Sequence, residues 1–104
     1  MRLETDSEQP VDSPTPDYVK QVLTTLIDHP KRTFVVLEDK PGFFMQVAFD
    51  DHLNFELEYQ DGTTAQHYET YVIEDVDEVV WAFLSYLRGD DKWRQGFNWK
   101  KLDL

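Results

Sequence analysis

The chain contains no cysteine, which excludes disulfides and thiolate metal sites. Basic residues are scarce: 10 Lys and Arg stand against 21 Asp and Glu, a formal net charge of −11. A surface of that sign repels phosphate backbones, so DNA and RNA are not expected partners. No apolar run approaches the roughly 20 residues of a membrane span. No basic stretch leads into an apolar one near Met1, so neither a secretory signal nor a membrane partner is expected, and the cytoplasm is the expected location. The few glycines (42, 62, 89 and 96) are scattered and make no phosphate-cradling loop. The histidines, His29, His52 and His67, fall at a helix stop, a turn and a strand, without the paired spacing of a zinc site. Asp50-Asp51 and Asp90-Asp91 lack the alternating ligands, central glycine and distal glutamate of a calcium loop. Ser85 has no flanking nucleophile-elbow glycines and no histidine nearby in sequence. No metal and no cofactor is therefore expected, and the chain reads as a non-enzyme.

What remains is ample for one domain. The 104 residues are 40% hydrophobic and 14% aromatic, enough to fill a small core. The acidity suits a basic partner, whose association would be steered at low salt. Plain solubility explains the same charge.

Residues 1–14 (MRLETDSEQPVDSP) carry few apolar residues and two prolines, and they read as a disordered acidic tail. A single α+β domain is expected over 15–104. Thr15 can cap a helix, Pro16 suits its first position and Asp17 complements its dipole. Tyr18, Val19, Val22, Leu23, Leu26 and Ile27 form one stripe, and His29-Pro30 ends it. Four strands follow, over residues 33–39, 43–49, 53–60 and 63–72. Lys40-Pro41-Gly42 fits a type II turn, Asp50-Asp51-His52 a short break, and Asp61-Gly62 a two-residue hairpin. Asp75 with Glu78 reads as a capping box. Val76, Val79, Val80, Phe83, Leu84 and Leu87 make a second stripe, and Gly89 closes it. Trp81 lies beside that stripe. Trp93, Phe97 and Trp99 plug the end of the core or, alternatively, anchor a partner. The expected fold is a two-layer sandwich, a four-stranded antiparallel meander with two helices on one face and a short C-terminal segment.

The turns fix a register. A two-residue loop at Asp61-Gly62 sets Gln60 opposite Thr63, Glu58 opposite Ala65, Glu56 opposite His67 and Asn54 opposite Glu69. On the other face it pairs Leu57 with Gln66 and Phe55 with Tyr68. A three-residue loop at 50–52 aligns Phe49 with Leu53, Val47 with Phe55 and Met45 with Leu57, and sets Gln46 beside Glu56 and Phe44 beside Glu58. One face is then apolar. The other carries Phe44, Gln46, Glu56, Glu58, His67, Glu69 and Tyr71, acids beside aromatics. Glu56 and His67 could form an acid–base pair, but an open face lacks the pocket that a general base needs. Such a surface suits a cationic protein. An ordinary solvated face and a homodimer burying Phe44 and Tyr71 are the alternatives.

The run LEYQDG…HY, the helix VDEVVWAFLSYLRGD and the ending W…F.W..L together resemble small immunity proteins of bacterial polymorphic-toxin systems. They also resemble uncharacterised actinobacterial proteins of similar size. The resemblance covers roughly residues 43–104 and carries no functional residue with it. It implies a single α+β domain that binds and blocks a toxin, often a nuclease or deaminase and commonly basic. The expected function is thus a non-enzymatic acidic binding domain, in the form of an immunity protein against a basic toxin. The alternative is a structural or regulatory domain that homodimerises through its sheet.

Overall fold

The computed structural model of the protein describes residues 1–6, 8–25, 34–49, 54–73 and 75–103. The fold is α+β. Its strands are β1 (Arg2–Thr5), β2 (Val11–Asp12), β3 (Phe34–Lys40), β4 (Phe43–Phe49), β5 (Asn54–Asp61), β6 (His67–Ile73) and β7 (Lys100–Lys101). They make one seven-stranded sheet in the order β2-β1-β3-β4-β5-β6-β7, antiparallel at every pairing. The helices are α1 (Pro16–Thr24), α2 (Val76–Arg88) and the short α3 (Lys92–Gln95).

The meander of β3 to β6 is present, and the sheet extends beyond it on both sides. Residues 1–14 are not the tail expected from their composition. Arg2–Thr5 pairs with β3, setting Leu3 opposite Leu37, and Leu3 is only 2% exposed. Without β1, the main chain of β3 would be a bare edge beside the core.

Helix α1 starts as its sequence dictates: the Tyr18 N–H donates to Thr15 Oγ1 at 3.1 Å. Leu26, Ile27 and the stop at His29-Pro30 lie outside the described residues. At α2, the Asp75 carboxylate accepts from the Asp77 N–H rather than from Glu78 as in a full capping box. Gly89 closes α2 at φ +80°, a left-handed conformation that glycine adopts without penalty. Val19, Val22 and Leu23 of α1 and Val79, Val80, Ala82 and Phe83 of α2 share one core with Leu3, Val35, Leu37, Met45, Val47, Phe55 and Leu57 of the sheet. Trp93 joins that core, with Phe97 and Trp99 partly buried against it. The C-terminal aromatics thus serve as its plug.

Both expected hairpin registers are corrected. Between β4 and β5, Val47 faces Leu57 instead of Phe55, a displacement of two residues. Gln46 therefore faces Glu58 rather than Glu56, and Phe44 faces Gln60 rather than Glu58. The break at 50–52 and Leu53 lie outside the described residues. Between β5 and β6, Glu58 faces Glu69 instead of Ala65, a displacement of four. Glu56 meets Tyr71 rather than His67, Asn54 meets Ile73, Gln60 meets His67, Leu57 meets Thr70 and Phe55 meets Val72. Asp61-Gly62 is no two-residue turn, because the Gly62 N–H donates to Gly42 O of the neighbouring turn at 3.0 Å. The chain then makes a 3-10 turn at Thr64–Gln66 before β6 begins at His67, later than the expected Thr63. Both displacements are even, so the side chains that lie in the described strands keep their expected faces, while residues 63–66 leave the sheet.

Candidate functional site: the outer sheet face

Phe44 and Gln46 on β4, Glu56 and Glu58 on β5, and His67, Glu69 and Tyr71 on β6 share the face turned away from the core. Strand alternation places them there, with Leu57, Tyr59 and Val72 facing inward. All seven expected residues therefore lie together, though with different neighbours. The expected Glu56–His67 pair is replaced by Glu58–His67.

The centre of the face is a connected polar network. Gln46 Nε2 donates to Glu58 Oε2 at 2.5 Å. His67 Nε2 lies 3.0 Å from Glu58 Oε1, and His67 Nδ1 lies 3.1 Å from Gln60 Oε1. Gln60 Nε2 in turn donates to Gly42 O at 3.3 Å. Phe44 sets its ring at a steep angle to the imidazole, 5.9 Å between centroids. The network is largely covered: the side chains of His67 and Glu58 are only 8% and 13% exposed. A largely covered carboxyl group needs its hydrogen bonds, and Glu58 has partners on both oxygens.

Around that network the face is acidic. One carboxylate oxygen from each of Glu56, Glu58 and Glu69 lies within 4.8 Å of the others. Both Glu58 oxygens are already engaged, so the set is a weak cage for a hard cation, which takes six or more oxygen ligands. Tyr71 is 59% exposed and Phe34 of β3 is also open to solvent. The resulting surface combines concentrated negative charge with accessible aromatic area. Lys100 of β7 stands opposite Glu69 at its margin, a neighbour that the sequence pattern did not reveal.

Ser85 has a structural role. Its hydroxyl donates to Asp90 and accepts from the Trp93 N–H, and the residue is fully buried. Two aromatic–acidic arrangements on the helical side also escaped the sequence reading. In one, Arg94 lies 4.6 Å over the Trp93 ring and 5.3 Å over Tyr59, paired with Asp61 at 3.4 Å and Asp91 at 3.3 Å. The other is a groove lined by Asp77, Glu78, Trp81, Gly96 and Phe97. Each draws residues from segments that meet only after Gly89 reverses the chain, so no local spacing could signal it.

Comparison of the chain with family models, with curated proteins and with solved structures finds no match.

Proposed function

We propose that this protein is a non-enzymatic acidic binding domain that engages a basic protein through its outer sheet face. The observation that supports this most is the gathering of Glu56, Glu58 and Glu69 within 4.8 Å, beside the exposed Tyr71 ring. Carboxylates crowded on a firm surface repel one another, and a partner's cations relieve that repulsion on docking. The exposed aromatic supplies apolar contact area at low entropic cost. The Gln46–Glu58–His67–Gln60 network holds the Glu58 carboxylate in place before the partner arrives. The particular form we favour is an immunity-type role, in which the partner is a basic toxin. It rests on the resemblance over roughly residues 43–104 and on the charge.

The test is capture from native lysate, comparing the wild-type chain with Glu56→Lys/Glu69→Lys and with the gentler Glu56→Gln/Glu69→Gln. A basic protein should be retained by the wild type and lost from the charge reversal, with affinity falling about tenfold or more. Equal retention by both variants at the same salt overturns the choice of face. Self-association through this face would set the three glutamates against their own copies, which like-charge repulsion opposes. Light scattering across a dilution series should therefore report a monomer, and a stable dimer would favour the homodimeric alternative.

A further inference from the structure

The groove beside α2 has a chemistry of its own. Trp81, on the solvent side of α2, is 41% exposed although it is among the largest apolar side chains in the protein. Its ring lies 6.0 Å from Phe97 at an interplanar angle of 55°, so the two aromatics form a walled corner rather than a stack. The corner is firmly held. A Cβ at Gly96 would fall 2.6 Å from Trp81 Cζ3, so the indole rests directly against the bare backbone there. Asp77 and Glu78 border the same groove of about 360 Å³. Asp75 already takes the capping bond of α2. Among the described residues, neither Asp77 nor Glu78 has an ion-pair partner, and no cation of the chain lines the groove.

The molecule holds a filled counterpart of this arrangement. Arg94 packs its guanidinium over Trp93 and Tyr59 while Asp61 and Asp91 bind its edges. Two aromatic faces and two carboxylates satisfy one guanidinium: the rings attract the cation through their negative faces and the carboxylates accept its N–H bonds. The groove repeats those elements, two aromatics and two carboxylates, without the cation.

We infer that the Asp77–Glu78–Trp81–Phe97 groove is a receptor for a guanidinium side chain, presented by an arginine-bearing segment of a protein partner. A planar, weakly hydrated guanidinium suits an aromatic wall with a carboxylate rim better than a compact ammonium does. The inference goes beyond the sheet-face reading and does not rest on it, since the groove is built from α2 and the C-terminal segment. The two can fail separately.

The probe is a short Arg-Gly repeat peptide titrated into the full chain, followed by the amide and indole N–H resonances, with sodium chloride of equal ionic strength as reference. The Trp81 indole and the Gly96 amide should shift saturably. Asp77→Asn/Glu78→Gln should weaken binding about fivefold, and Trp81→Ala by a similar factor. Because Trp81→Ala also removes packing on Phe97, the carboxylate variant decides the matter. Unchanged affinity in that variant overturns the inference. So do shifts confined to Glu69 and Tyr71, which would leave the sheet-face reading standing.

Discussion

Asp90 organises the reversal of the chain after α2. Its carboxylate accepts from the buried Ser85 hydroxyl, from the Lys92 N–H at 3.1 Å and from Arg88 Nε at 3.1 Å. The Ser85 hydrogen bond is the main reason that its carboxyl is held below the ordinary carboxylate value, with Lys92 and Arg88 adding to it. A lowered folded value means that Asp90 contributes stability above its unfolded value, near 4. That contribution is lost as pH falls through the depressed one. Ser85→Ala should raise the Asp90 titration midpoint toward normal, as read by carbonyl NMR. It also strands the Trp93 N–H in the core and should cost about 1–3 kcal/mol in urea denaturation. The sequence gives Ser85 no such role, since its partners lie five and eight residues on, across the turn that Gly89 makes. Asp90 takes the Lys92 N–H two residues on, a local bond that short acids before a helix readily make, while Asp91 at the N-cap of α3 makes no side-chain capping bond.

At the scale of elements, the stripes of α1 and α2 and the alternation of β5 were readable because each repeats one period over many residues. Strand β1 was not. Four residues, RLET, with a single apolar side chain carry no period, and what orders them is the edge of β3. Leu3 is nevertheless nearly sealed from water among Leu37 and its neighbours. Leu3→Ala should destabilise the fold by about 2–4 kcal/mol in urea titration, as for a core leucine and not for a tail residue. The turns mislead for a related reason. Asp61-Gly62 has the composition of a tight hairpin, yet Gly62 is spent on Gly42, which itself sits at φ +88°. A Cβ at Gly42 would lie 2.4 Å from Gly62 O, so this contact between turns depends on glycine at that position. Local turn chemistry cannot anticipate a bond to another turn.

For the molecule as a whole, the face of the candidate site was legible while its neighbour relations were not. Side chains alternate with a period of two, so register errors of two and four residues leave Glu56, Glu58, His67, Glu69 and Tyr71 on one side. The same errors replace the cross-strand partner of each, which is why Glu58 and not Glu56 holds His67. The net charge of −11 acts at this scale too. Association with a basic partner should slow by roughly tenfold or more between low and physiological salt, with dissociation changing far less. Stopped-flow mixing with the captured partner at several salt concentrations measures it, and a salt-independent rate would point to apolar docking instead.

The two outermost strands have a consequence for how the protein meets others. β2 and β7 are two residues each, and β7 is a pair of exposed lysines. β7 pairs with β6 only at Tyr68 and Glu69, so the β6 ladder runs on past it over residues 70–73, with the two lysines beside the start of that stretch. Lysines on a sheet edge discourage copies from zippering into fibres at high concentration, and β7 places two of them there.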